Sequence, residues 1–309
     1  MFTVLALTTY FLGALANPIE KRAATNVFPN PPSTSSLSAP IRIRAGTTFT
    51  PPVAYTRYDR GWGACQEQKE GGQADAVFLL EEGATLRNVV IGPHQMEGVH
   101  CLGSCRLENV FFEDVCEDAV TIKQNGGTSY IVGGGAKHAT DKIIQHNGGG
   151  RVIIDSFFAD GFGTFYRSCG NCRTQHARHV EVLNSWAING NNLIGVNSNY
   201  GDTATIRQTR VSNVRNVCQR YNGNNYGAEP TGAGSGPDGR VSGVSPHLSL
   251  GCDSIVECLH PSHRPACTTI GIFSPEPGRR RRTQLSLTEP NSRISDAQRS
   301  LAFDSLLLL

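Results

Sequence analysis

The stretch LRNVVIGPHQMEGVHCLGSCRLENVFF, residues 86–112, decides the fold. Within it Leu86-Arg87-Asn88-Val89 and Leu107-Glu108-Asn109-Val110 repeat one pattern at a spacing of 21. A repeat of that length means stacked units, each burying its apolar side against the next. Short β-type segments recur on either side of it: 76–80, 119–122, 142–145, 152–158, 180–183, 193–196 and 204–211. Most are followed closely by Gly, Asn or Asp, and Val180 and Ala204 are 24 apart. A parallel β-helix explains this spacing: each coil contributes two or three short strands, apolar side chains stack inward, and Asn or Gly takes the turns that need left-handed backbone. An antiparallel sandwich would need hairpin turns every 8–12 residues or so, and few are visible. The expectation is an all-β chain, a single-domain parallel β-helix (solenoid).

Composition agrees. With 34 Gly, two Met and only 17% charged residues, the chain favours strands and turns over helices. The net charge of +2 is too small to argue for nucleic acid, since the arginines cluster in one late run, Arg279 to Arg282. Residues 1–16, MFTVLALTTYFLGALA, end in the small-x-small pattern Ala14-Leu15-Ala16 and read as a signal peptide. Lys21-Arg22 then offers a dibasic processing site, so the mature chain begins near Ala23 and is expected to be secreted. Ten cysteines fit an oxidising compartment and favour disulfides over zinc, although Cys101, Cys105 and Cys116 with Cys169 and Cys172 also have metal-like spacing. Spacing alone does not give the pairing. No later segment is long and apolar enough to span a bilayer, so no membrane partner is expected, and a monomer is expected.

Residues 17–40 read as propeptide and a poorly ordered lead-in rich in Pro, Ser, Asn and Thr, and residues 41–239 as the β-helix domain. Residues 240–309 look foreign to it: the repeat is lost, and an Arg run and a Leu tail follow. Val241-Ser242 is what a splice donor would encode if an intron were read through, so this atypical tail is either a gene-model artefact or a disordered segment.

Carboxylates crowd one region: Glu97, Glu113, Asp114 and the pair Glu117-Asp118. Strand neighbours point to opposite faces, so Glu117 and Asp118 share a side only at a turn or bulge. Glu97 precedes Asp118 by one coil, again a spacing of 21, which stacks it beside the pair. Oxygens so crowded repel unless a cation lies between them, and calcium (Ca2+) suits an all-oxygen, irregular site. Basic residues follow, among them Lys123, Lys137, Arg173 and Arg178. Two more stand close to one coil apart, Lys142 at a spacing of 24 from Asp118 and Arg167 at a spacing of 25 from Lys142. The spacing predicts a ladder of carboxylates, Lys142 and Arg167 along one face, forming a groove suited to a polyanion.

At these residues the sequence resembles family 3 of the polysaccharide lyases, the small pectate lyases of fungi and bacteria. The matching segments run in order: MEGVHCLGSC (96–105), LENVFFEDVCEDA (107–119), GGGAKHATDKIIQHNGG (133–149), FYRSCGNC (165–172), GVNSNYGDTAT (195–205) and 218–238. The resemblance implies a right-handed β-helix, calcium dependence and polygalacturonate (pectin) as the partner. It puts metal-binding carboxylates on Glu97, Glu117 and Asp118, with Asp114 a further ligand, and active-site cations on Lys142 and Arg167. Similar enzymes carry a lysine three residues before the arginine, where this chain has Thr164. They also close with a short Cys-containing end, which leaves Cys218 without its expected partner.

The reaction so implied is β-elimination: a base removes the proton on carbon 5 of a galacturonate unit and the oxygen on carbon 4 leaves. Lys142 is assigned as base and Arg167 as the clamp on the substrate carboxylate, or the two roles are exchanged. Lysine, with an ordinary pKa of about 10.4, serves as base only at alkaline pH or where nearby cations lower it. Hydrolysis, as in polygalacturonases, would need paired aspartates framing a water, and that family's motif residues are not apparent. A galacturonan-binding protein derived from a lyase, weakened or inactive, is the remaining alternative, raised by Thr164 and the tail.

Overall fold

A computed structural model describes residues 23–236 and 255–258. They form a parallel β-solenoid of about eight turns with no α-helix among them, which is the expected fold. The repeat read from the sequence is the register itself: Leu86 pairs with Leu107 and Val180 with Ala204 on adjacent coils.

The core is built by that register. Leu86, Leu107, Ile131, Ile154, Val182 and Ile206 lie on successive rungs and are all buried. Each such side chain contributes about 1.5–3 kcal/mol by leaving water, so a column of them binds coil to coil. The corners are set by backbone that only some residues tolerate. At one corner Asn88, Asn109, Gly133, Ser156, Asn184 and Gln208 all have positive φ; at the next, His138, Gly161, Asn189 and Asn213 do. Asn side chains make local bonds that offset the cost of this conformation. Thus Asn109 Nδ2 donates to Asn88 Oδ1 at 3.1 Å and Asn213 Nδ2 to Asn189 Oδ1 at 2.7 Å.

After the second corner comes the face that carries the chemistry. Its rungs are Ala76–Leu80, Glu97–Cys101 and Asp118–Ile122, followed by the C-terminal ends of Thr128–His146, Phe158–Ser168, Trp186–Asn197 and Arg210–Asn222.

Residues 23–40 do not form the poorly ordered lead-in that their composition suggests. Phe28 packs edge-on against Phe111 and Phe158, with ring centroids 5.1 and 6.3 Å away. Strand Thr34–Ser36 pairs in parallel with Arg57–Asp59, and Ser36 Oγ donates to Asp59 Oδ1. One aromatic and a few strand hydrogen bonds outweigh the polar composition. Of the atypical tail, Ile255–Cys258 forms a strand antiparallel to Thr203–Arg207. Residues 1–16, expected to be a signal peptide, Lys21-Arg22 and the remainder of 240–309 lie outside the described residues.

The cysteines form disulfides. Cys65 pairs with Cys116, Cys101 with Cys105 and Cys169 with Cys172. Cys218 is disulfide-bonded too.

Candidate metal and catalytic site

Two columns of side chains run along the face just described. In the first, Glu97 pairs in register with Asp118, Asp118 with Lys142 and Lys142 with Thr164. In the second, three residues further along each strand, His100, Thr121, Gln145, Arg167 and Gly195 occupy successive rungs. Spacings of 21 and 24 thus placed Glu97, Asp118 and Lys142 correctly. Arg167 differs: the coil above Lys142 is shorter than the step of 25 assumed, so Thr164 takes the rung beside Lys142 and Arg167 aligns with Gln145. One rung and three residues put the two Cα atoms on the order of 11 Å apart.

Glu117 joins the first column because it sits in a bend just before Asp118–Ile122, the turn its position demanded. Glu97, Glu117 and Asp118 each present a carboxylate oxygen, these oxygens lie within 4.8 Å of one another, and all three residues are buried. Burial first, then Glu117 and Glu97, push the Asp118 carboxyl well above the ordinary range against the pull of Lys142. Burial likewise raises Glu117. Asp118 Oδ1 has only a charge contact with Lys142 Nζ at 3.5 Å and accepts no hydrogen bond. Three buried carboxylates close together, flanked by Lys142 and Lys123, with an oxygen-only donor set and an orphaned buried oxygen, fit a hard divalent cation.

Asp114 is not brought into this cluster. It lies in the corner loop, largely exposed, 3.9 Å from His138 Nδ1. Glu113 is taken by Arg57, which donates to both of its oxygens at 2.6 and 2.7 Å.

Lys142 Nζ contacts Glu117 Oε1 at 3.2 Å and also bonds Asp141. Burial opposes its charge, but Asp118, Asp141 and Glu117 overcome it and hold the ammonium protonated above the usual lysine range. The neighbours of Lys142 that act here are carboxylates, while Arg167 lies one rung and three residues away. Lys123, whose pKa burial lowers, donates to His100 Nδ1 at 3.2 Å, while His100 Nε2 bonds Glu97 Oε2 at 3.1 Å.

Arg167 is held without any ion pair among the described residues. Its guanidinium lies 3.7 Å over the Tyr221 ring, and Nη1 donates to Asn197 Oδ1 at 3.4 Å. Burial lowers its pKa. Gly195 makes room for it: a Cβ there would lie 2.8 Å from Arg167 Cδ. Its charge is thus left for an anion from outside.

Sequence reasoning missed the wall of the cleft. A pocket of about 70 Å³ opens on Glu97, Glu117, Asp118, Lys123 and Lys142, and Glu70 and Gly71 line it too. The Cys65–Cys116 bridge ties their loop to the residue before Glu117. Non-repeating loops carry no periodic signal, so only the cysteine pairing could have pointed there.

A family model described as pectate lyase matches residues 25–227. The chain is 51% identical over 213 residues to "Probable pectate lyase D" of Neosartorya fischeri, covering 68% of this chain and 87% of that one. It is 46% identical over 244 residues to "Pectate lyase E" of Emericella nidulans, covering 76% and 93%. Among solved structures, the catalytic domain of pectate lyase PelI from Erwinia chrysanthemi superposes with a TM-score of 0.54 at 28% identity, over 68% of this chain and 92% of that one. PelI in complex with tetragalacturonic acid matches with a TM-score of 0.52 at 28% identity, over 68% and 66%.

Proposed function

The chain belongs to the pectate lyase family, and from that premise we propose that it is a secreted, calcium-dependent enzyme cleaving (1→4)-linked galacturonan by β-elimination. The observation that carries this reading is the buried trio Glu97, Glu117 and Asp118 beside Lys142 on one face of the solenoid. The complex of a similar lyase with tetragalacturonic acid supports polygalacturonate as substrate. The disulfides support an oxidising compartment, and the sequence of residues 1–16 supports secretion.

Glu97, Glu117 and Asp118 would hold the calcium ion. Bound there, it supplies positive charge that attracts the uronate carboxylate and offsets the carboxylates holding Lys142 protonated. Arg167, free of ion pairs among the described residues and stacked on Tyr221, binds the carboxylate of the reacting unit and stabilises charge that spreads onto it. Its guanidinium keeps its proton at any working pH, so it does not act as base. Lys142 takes the proton from carbon 5 in its neutral form, which it reaches at alkaline pH.

The test is ultraviolet absorbance during incubation of the chain, expressed from Ala23, with polygalacturonate at alkaline pH. Rising absorbance that a chelator abolishes and calcium restores is expected, because elimination leaves a double bond. Saccharide binding without unsaturated product would identify a lyase-derived binding protein instead.

A further inference from the structure

Two loops at the edges of the site each display one aromatic ring. Trp62 is 91% and Tyr226 78% exposed, the most of any described Trp, Tyr or Phe. Both stand on braced turns. Trp62 lies between Gly61 and Gly63, which have positive φ, in a turn closed by Ala64 N donating to Gly61 O at 3.2 Å. On one side Arg60 anchors this turn, donating to the carbonyls of Leu37, Ser38, Ala74 and Ala76. On the other, Cys65 bonds Cys116, the residue before Glu117. The Tyr226 turn closes on the buried Asn224 side chain, whose Oδ1 accepts from Tyr226 N at 3.2 Å and from Ala228 N at 3.1 Å. Asn224 N donates to Gly170 O at 2.7 Å, and Gly170 lies against Arg167: a Cβ there would be 2.8 Å from Nη2. One ring is thus tethered at the carboxylate end of the reactive column and the other at the Arg167 end. The strands that lead to Trp62 and to Arg167 are four rungs apart, from Tyr58 through Ile91, Phe112 and Ala136 to Ala159, or about 19 Å along the axis.

We propose that Trp62 and Tyr226 are saccharide-stacking residues that hold the galacturonan chain by units outside the reacting one, one at each end of the site. The inference rests on the lyase reading above and adds two binding positions to it. A sugar ring offers an apolar C–H face besides its hydroxyls and carboxylate. The carboxylate cluster with its cation, Lys142 and Arg167 deal with the charge; an aromatic ring takes the C–H face, and because its turn is already ordered it does so at little entropic cost. A chain lying along the column from Glu97 to Arg167 continues past both ends, where these loops stand. A protein partner would need a contiguous apolar patch, and each ring is isolated, flanked by Gly61 and Gly63 or by Asn225 and Gly227.

The experiment measures KM and kcat on polygalacturonate and on trigalacturonate, with calcium at alkaline pH. Trp62→Ala and Tyr226→Ala each remove an exposed ring, so Tm should hold. Each is expected to raise KM on the polymer about 3–10-fold with kcat within about twofold, and to raise it less on the trimer, which is too short to reach both rings. Trp62→Phe and Tyr226→Phe, which keep a flat ring, should recover most of the loss. Binding is read separately, as retardation of the protein in a gel containing polygalacturonate at about pH 6, where Lys142 keeps its proton. Both alanine variants should be retarded less than the native chain. Polymer KM and retardation that neither alanine changes, or a KM rise equal on polymer and trimer, overturns the proposal. A native chain that forms no unsaturated product, yet is retarded through these two rings, overturns the lyase reading and leaves the two binding positions standing.

Discussion

Glu97 and Asp118 face each other across adjacent coils, paired in register, with Lys142 on the next rung. Because the backbone of the solenoid sets this column, the carboxylates are brought together before any ion binds. Removing one charge while keeping the shape should therefore weaken the metal and leave the fold intact. Asp118→Asn and Glu97→Gln are expected to lower calcium affinity by about 100-fold, read by titration calorimetry. Circular dichroism should stay native. An unchanged affinity in both variants would place the metal elsewhere.

The same crowding gives a pH signature. Burial, reinforced by the other carboxylates, raises Asp118 and Glu117 above their unfolded values, so the native chain holds these protons more tightly than the unfolded one. With calcium removed, stability should fall as pH rises from about 4 through the raised values. Lys142, raised in the fold, works in a different window, losing its contribution only above about 10.4. Added calcium should increase Tm more at pH 8 or so than at pH 5 or so. An equal gain at both would show that the carboxylates are already ionised without the ion.

Much of this was legible in the sequence, and the reason is periodicity. Leu86 and Leu107, or Glu97 and Asp118, are separated by one coil with no insertion, so arithmetic gives contact. Arg167 defeats the arithmetic because coil length varies at the corners: Asp118 pairs with Lys142 at a spacing of 24, but Lys142 pairs with Thr164 at a spacing of 22. Asp114 sits in a corner loop, where neighbours in sequence point different ways, and it turns toward His138. Glu70 and Tyr221 reach the site through a disulfide-tethered loop and a late strand, and no residue pattern marks them. Phe28 shows the converse: one aromatic packed against Phe111 and Phe158 anchors a segment whose composition reads as disordered.

His146, four residues beyond Lys142 on the same strand, should make the protein acid-sensitive. It is buried, its Nδ1 bonds the Tyr166 hydroxyl at 2.8 Å and its Nε2 the Gly149 carbonyl at 3.2 Å. Burial, and then Arg178, push its pKa down to about 3. The unfolded chain takes up a proton near pH 6.5 that native His146 refuses, so stability drops as pH falls from about 6.5 toward 3, by about 4 kcal/mol over the whole interval. Urea midpoints measured across that range should decline in the native chain. His146→Gln should start lower and decline less steeply. Parallel slopes would mean that another group dominates the acid transition.

The placement of Arg167 yields the sharpest separation of binding from folding. A Cβ at Gly195 would lie 2.8 Å from Arg167 Cδ and 3.3 Å from the Tyr221 ring, so Gly195→Ala must displace the guanidinium from its stack. Gly195 is on a regular strand rung, paired with Arg167 and Gln219, and has no positive φ, so alanine fits its backbone conformation. Stability should change by less than about 1 kcal/mol, while a guanidinium shifted by an ångström or so should lower kcat/KM on polygalacturonate by about 10–100-fold. Arg167→Lys keeps the charge but loses the planar fork and should fall at least as far. If Gly195→Ala folds and retains full activity, Arg167 is a surface cation and not the group that holds the reacting carboxylate. Loss of activity with an unchanged calcium affinity would instead separate its role from that of Glu97, Glu117 and Asp118.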